Sequence, residues 1–392
     1  MFKKLAGVAV VVSLTLSACG GTGTSSGSAE KIKIGGGFAL TGDEASLDVP
    51  AANGAKLAVK EINAAGGVLG KQIDFIIHDS QYQTPVAQQT AKQFVEQDKV
   101  QAMIGYTDTD SILASGPTIQ AAGIPFITVG ATSPKIPSQV GDVMFLACFG
   151  DNVQAAVGAE YALKNFGKNA YLLSDKGVEY TTLLAAYFKT RFEEAGGTIV
   201  LEDSYDDKAT DFSAQIAKIK ALSTQPDFYY VAAMPYNVGP VIKQMRDAGL
   251  DGPVVGGDGY DTPDLVKVAG VAANNVFFTT HALIDATNGT DGIKKFITAY
   301  KAEYGNDPEN AFAALGYDTV YLLVDAIKRA GSMDAAALKT AIEATKDFPG
   351  ITGKITFAAG SHVPQKGVTV IEVKDQKFTL AGEVVPEKVP AP

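Results

Sequence analysis

Two short apolar runs, Ile32-Lys33-Ile34-Gly35-Gly36 and Ile73-Asp74-Phe75-Ile76-Ile77-His78, enclose a helical stretch from Pro50 to Asn63 that exits through Ala65-Gly66-Gly67. Glycine just past the last periodic residue is a common way for a helix to end, because it accepts the left-handed backbone there. The result is one strand–helix–strand unit, and the chain repeats it. A helix is expected from Thr84 to Gln97, a strand from Val100 to Ile104, a helix from Ile112 to Ala122 and a strand from Phe126 to Val129. Further glycine exits stand at Ala122-Gly123, Ala195-Gly196-Gly197 and Ala248-Gly249. Alternation of this kind predicts an α/β protein whose mostly parallel sheets are covered by helices on both faces.

The rhythm continues with strands at Ala170 to Leu173, Thr198 to Leu201, Phe228 to Val231 and Val254 to Val255. Helices are expected between them at 180–195, 211–222 and 237–249. So many strands exceed one ordinary sheet, so the chain is divided into two near Phe149. After Val276-Phe277-Phe278-Thr279 the pattern turns helical (Gly292 to Tyr304, Ala311 to Ala330), then closes with strands at Gly353 to Phe357 and Val368 to Val373. No linker rich in proline or glycine separates the halves, which predicts several thin crossings instead of one tether. The expected lobes are 31–148 with 281–353, and 149–280 with 354–392. Ligands of open α/β sheets bind beyond the carboxyl ends of the strands, so two facing sheets define a cleft.

The N-terminus carries a different signal. Lys3 and Lys4 precede an apolar run from Leu5 to Leu16, followed by Leu16-Ser17-Ala18-Cys19-Gly20. A charged start, a short apolar core and a small-residue cleavage site ending in cysteine read as a lipoprotein signal peptide over 1–18, with Cys19 as the lipidated residue. The run is too short to span a bilayer, which takes about 20 apolar residues. Residues 19–30 are rich in Gly, Ser and Thr and read as a flexible tether. An extracytoplasmic, membrane-anchored location follows as an expectation.

Composition narrows the function. The net charge of −10 argues against a nucleic-acid or anionic-membrane surface. Apart from Cys19 there is only Cys148, so no intramolecular disulfide remains; within Met144-Phe145-Leu146-Ala147-Cys148-Phe149 it reads as a small buried hydrophobe. There is no G-x-S-x-G elbow and no H-E-x-x-H helix. Gly66 to Lys71 lacks the glycine spacing and the following hydroxyl of a phosphate loop. His78, His281 and His362 are scattered and read as strand-end or loop residues. No enzyme, metal or cofactor is expected.

Polar residues gather where strands should end: Tyr106-Thr107-Asp108-Thr109-Asp110-Ser111, Val129-Gly130-Ala131-Thr132-Ser133-Pro134 and Gly256-Gly257-Asp258-Gly259-Tyr260-Asp261. The first leads into a helix whose free N–H groups can hold an anionic oxygen, although Asp110 or Ser111 can equally serve as an N-cap. Asp258, between glycines, can meet a cation in the cleft, or be a turn residue with a solvated carboxylate.

Together with Phe38-Ala39-Leu40-Thr41-Gly42, Asn53-Gly54-Ala55, Ile62-Asn63-Ala64-Ala65-Gly66-Gly67-Val68 and Ala314-Leu315-Gly316-Tyr317-Asp318, these segments resemble, in order, the type I periplasmic binding proteins of the branched-chain amino acid receptor family. The resemblance runs from about Lys31 to about Val373. It implies a two-lobed fold hinged at several crossovers, and a monomer that captures a small amino acid and delivers it to an ABC permease and its ATPase. It places the ligand carboxylate at Thr109, Gly130 and Thr132 in the Gly130-Ala131-Thr132 turn. The ammonium falls to Asp258, with Tyr180 as a cap from the second lobe. Leu47, Tyr106, Met234 and Tyr236 read as a partly apolar wall, or equally as helical or core packing. One departure stands out: Asp108 and Asp110 flank Thr109, where the family is commonly serine-rich and uncharged. That admits a ligand with a cationic or amide-bearing end. A short amide, urea or another small solute as ligand, or a sensor on the same fold, are the alternatives.

Overall fold

The computed structural model describes Gly7, residues 30–206 and residues 208–392. The expected leader cleavage site and Cys19 lie outside the described residues. The first sheet holds β1 (Ile32–Phe38), β2 (Ile73–Asp79), β3 (Ala102–Gly105), β4 (Phe126–Thr128) and β5 (Met144–Leu146), all parallel, in the order β2-β1-β3-β4-β5. The second is built from β6 (Asn169–Asp175), β7 (Thr198–Tyr205), β8 (Phe228–Ala232), β9 (Val254–Gly256) and β10 (Val276–Thr280), parallel in the order β7-β6-β8-β9-β10. A small antiparallel sheet follows: β11 (Phe348–Gly350), β12 (Gly353–Phe357) and β13 (Pro364–Gln365). Then β14 (Val368–Lys374) and β15 (Lys377–Val384) add antiparallel strands on the β10 side of the second sheet.

The central strands β3, β4, β8, β9 and β10 are buried along their whole length. Helices cover both faces of a parallel sheet, which is why these runs are continuously apolar and do not alternate. The chain passes between the sheets after β5, after β10 and after β13. Ile355 and Phe357 of β12 pack into the core of the first sheet. On packing, the last crossing therefore lies past Gln365, later than the expected boundary at 353.

Two helices of the first lobe, Ala45–Ala64 and Ala311–Ala330, cross in close contact. A Cβ on Gly54 would stand 1.8 Å from the carbonyl oxygen of Ala313, and one on Gly316 would stand 1.9 Å from that of Ala51. Only glycine permits backbones to approach this closely, which gives Asn53-Gly54-Ala55 and Gly316 a packing role. The first helix starts at Ala45, earlier than the Pro50 expected from the sequence, so Pro50 lies inside it. Proline cannot donate to the carbonyl four residues back. That carbonyl, of Ser46, instead accepts from Asn310 Nδ2 at 2.9 Å, so the second helix supplies the bond the first lacks.

Among the described residues no helix is long and apolar enough to cross a membrane. Helix propensity alone makes Gly54→Ala stabilising by about 1 kcal/mol. The contact with Ala313 reverses the sign, because a methyl group against backbone has no rotamer to escape into. The expected outcome is a loss of about 2 kcal/mol or more in urea unfolding. An unchanged or higher midpoint would show that the helices do not meet this closely.

Candidate ligand-binding site

Facing carboxyl ends of the two sheets enclose a narrow cavity. The first sheet contributes the turn after β3 (Thr107, Asp108, Thr109, Asp110) and the turn after β4 (Gly130, Thr132). The helices Ala45–Ala64 and Ala311–Ala330 add Leu47 and Phe312, and Glu44 stands at the N-cap of the former. From the second sheet come Val178 and Tyr180 after β6, Met234 and Pro235 after β8, and Asp258 and Gly259 after β9.

Of the residues expected from the sequence, Leu47, Thr109, Gly130, Thr132, Tyr180, Met234 and Asp258 line this cavity. Tyr106, Ala131 and Tyr236 do not. Tyr106 turns into the first core, where its ring packs edge-on to Phe126 and its hydroxyl lies 3.2 Å from Thr90 Oγ1. Ala131 is buried beneath the turn, its N–H spent on Thr128 Oγ1 at 2.9 Å. Tyr236 packs toward Tyr82 of the first lobe, ring centres 6.4 Å apart, on the second-lobe helix Pro235–Asp247. An apolar or aromatic residue beside a strand end gives no sign in the sequence of whether it faces cleft or core.

Asp258 is the most heavily supported group. Its Oδ1 accepts from Gln154 Nε2 and from the Tyr180 hydroxyl, both at 2.8 Å, and its Oδ2 lies 3.0 Å from His281 Nε2. A carboxylate offers about four acceptor positions, so one remains open on Oδ2. Gln154 is itself oriented by Thr279 Oγ1, which donates to its Oε1 at 2.8 Å. Burial lowers the His281 pKa, keeping the ring neutral, and the ring stacks on Phe149 at 4.0 Å. The glycines beside the acid are needed for contact: a Cβ on Gly257 would stand 2.6 Å from the Tyr180 hydroxyl, and one on Gly259 would stand 2.8 Å from the Ala233 carbonyl oxygen. Gln154, His281, Glu44 and Phe312 escaped the sequence reading. His281 does sit at a strand end, as expected, but there it braces the acid.

The opposite wall is acidic as well. Asp108 caps the helix Thr109–Ala121, its Oδ1 accepting from Ser111 N at 2.7 Å. Burial is the main reason its carboxyl is pushed up to about 6. Behind the wall, burial and then the charge of Asp108 push Asp48 up to about 8. Burial and the charge of Asp258 push Asp151 up to about 8. Across the rim the lobes meet through Lys208 and Asp43, 3.3 Å apart and substantially exposed, and through Gln139 Nε2, which donates to Glu179 Oε1 at 3.3 Å. Exposed pairs of this kind contribute ~0–1 kcal/mol, too little to hold a cleft shut alone. Among the described residues no group of three or more His, Cys, Asp and Glu could hold a metal ion.

With the cleft, its two walls and the braced acid in place, the comparisons agree on one class. The chain matches the family described as periplasmic binding protein over residues 31–377. It is 31% identical over 344 residues to the Leu/Ile/Val-binding protein BraC3 of Rhizobium johnstonii, covering 87% of this chain and 91% of that one. It superposes on the branched-chain amino acid transporter substrate-binding protein LivJ of Streptococcus pneumoniae, solved with isoleucine, with a TM-score of 0.83 and 30% identity, covering 91% and 99% of the two chains. A solute-binding protein of an ABC transporter from Rhodopseudomonas palustris, solved with 3,4-dihydroxybenzoic acid, gives 0.81 and 26%, over 92% and 99%. The chain belongs to the type I periplasmic binding proteins, in the branched-chain amino acid receptor family.

The buried acids set a pH dependence. Asp48 and Asp151 at about 8, Asp261 at about 7 and Asp108 at about 6 hold protons in the folded protein that the unfolded chain releases near pH 4. The native state therefore binds more protons between about pH 4 and 8, and stability falls as pH rises through that window. The ligand-free protein should melt at a higher temperature at pH 5 than at pH 8. A rise in melting temperature with pH would mean that these carboxyls are hydrated and ionised.

Proposed function

We propose that this protein is the lipid-anchored, extracytoplasmic receptor of an ABC importer, and that it captures a small amino acid by closing two lobes over it. The observation that carries the reading is Asp258, buried at 2% exposure with three donors fixing it and one acceptor position left. An ammonium group fits that position, and a charge-assisted bond there is roughly twice as strong as a neutral one. Thr109, at the start of the helix Thr109–Ala121, and Thr132, in the turn after β4, offer hydroxyl donors for a carboxylate. Support also comes from the isoleucine seen in LivJ and from BraC3, a Leu/Ile/Val-binding protein.

In this reading the lobes are 31 to about 366, less the stretch 149–280, and 149–280 with the remainder. A ligand shifts the open–closed equilibrium only by binding the closed form better. Tyr180, Met234 and Asp258 of the second lobe supply that difference, because they complete a wall that the first lobe begins. The closed monomer then presents its shape to a permease driven by an ATPase, with no chemistry on the ligand. The sequence around Cys19 supports diacylglyceryl attachment. The dihydroxybenzoate-bound neighbour points to aromatic acids as a second ligand class, which the acidic walls here disfavour.

Two experiments test this. Asp258→Asn keeps the side chain's size and removes its charge; calorimetry should show amino-acid affinity reduced ~100-fold or more, the range for breaking a buried, hydrogen-bonded charge pair. Affinity within threefold of the parent would remove Asp258 from the site. Cys19→Ser should move the protein from the membrane fraction to the soluble fraction and abolish labelling by a radiolabelled fatty acid. Retained label would refute the lipid anchor.

A further inference from the structure

Among the described residues, four carboxylates line the cavity, Glu44, Asp108, Asp110 and Asp258, and no lysine or arginine does. Helix capping explains part of this, since acids are favoured at helix N-termini. It accounts for one oxygen of Asp108. The other, Oδ2, has no hydrogen-bond partner, and neither has Glu44 Oε2. Glu44 occupies the N-cap position of the helix Ala45–Ala64 but makes no capping bond, so capping does not explain it at all. Both side chains belong to buried residues, 2% and 5% exposed. The Thr109 hydroxyl beside them is unpartnered too. Lys208 borders an adjoining depression at the rim and pairs there with Asp43.

We propose that the ligand carries a second cationic group, an amine or guanidinium at the end away from Asp258, received by Glu44 and Asp108. The inference deepens the amino-acid receptor reading and rests on it: the class becomes amino acids with a basic side chain, such as lysine, ornithine and arginine. The α-ammonium goes to Asp258 and the side-chain cation to the opposite wall.

Physical reasons favour a cation over a neutral guest. Buried carboxyls without partners escape the desolvation cost by keeping their protons. Burial first, and then Asp108, Asp48, Asp258 and Asp43, push the Glu44 carboxyl well above the ordinary range. A cation placed among these groups reverses the balance, so the carboxyl ionises and a proton leaves as the ligand enters. An apolar side chain would leave Glu44 Oε2 and Asp108 Oδ2 buried and unpaired, at about 1–3 kcal/mol for each such group.

Isothermal titration of the full chain in mild detergent at pH 7, in two buffers of different ionisation enthalpy, tests this. The ligands are L-lysine, L-ornithine, L-arginine, L-leucine, L-isoleucine, putrescine and 3,4-dihydroxybenzoate. At least one basic amino acid should bind tenfold or more tighter than leucine, with proton release seen as a buffer-dependent heat. Glu44→Gln should weaken that binding at least tenfold and remove the proton release; Asp108→Asn, which keeps the capping oxygen, should weaken it similarly. Proton release by the unmutated protein does not depend on how either variant folds. Leucine or isoleucine binding tighter than every basic amino acid, with no proton exchange, overturns the second cation and leaves the amino-acid receptor intact. Putrescine binding as tightly as lysine keeps the second cation and overturns the amino-acid reading. Binding of dihydroxybenzoate alone overturns both.

Discussion

The carboxylate of Asp258 is buried in the wall of the cavity between the two sheets. Its three donors come from separate segments: Gln154 from the helix just past the first crossing, Tyr180 from the helix after β6, and His281 from the second crossing itself. Burying a charge costs several kcal/mol unless hydrogen bonds replace the lost water. Forming this site therefore requires the segments to be in register. Phe149, at the first crossing, stacks on His281 at the second, so the hinge strands and the binding acid share one packed unit.

That arrangement explains how the fold converts binding into motion. Each lobe carries its own core, and the close crossing at Gly54 and Gly316 keeps the first one rigid. Between them the rim contacts are exposed and weak. In the proposed reading, ligand groups that reach Asp258 on one side and the β3 and β4 turns on the other supply the main attraction across the cleft. Ligand and closure are thereby coupled through few groups, as expected for bodies that move as units about thin crossings.

Much of this was legible in the chain. Strand–helix alternation and glycine exits are local, so the parallel sheets and their approximate bounds followed from periodicity. That the turns at Thr109, Thr132 and Asp258 meet at one cavity was legible because the strand ends of parallel sheets face a cleft. Other elements were silent. The helix Asp151–Asn165 is buried on several sides by Ala155, Ala156, Gly158, Ala159 and Ala162, so it shows no one-sided stripe. Residues β11 to β13 are short and pair only among themselves. Tyr106 and Tyr236 stand beside productive turns yet face core and rim, a choice made by backbone direction at a single residue.

The sequence by itself determined the class of fold, the division into two sheets and the strand ends where a ligand would sit. Those depend on patterns within about twenty residues, the reach of one strand and one helix. Only the tertiary structure decided which side chains share the cavity. Glu44 lies sixty-four residues from Asp108 and more than two hundred from Asp258, yet all three line one wall or another of it. Phe312 joins from the helix Ala311–Ala330, and His281 reaches Asp258 from the second crossing. Contacts between segments far apart in the chain leave no periodic trace in it, because they are set by how two packed bodies face each other. The electrostatic character of the cavity, acidic on both sides with partners missing, is a property of that meeting alone.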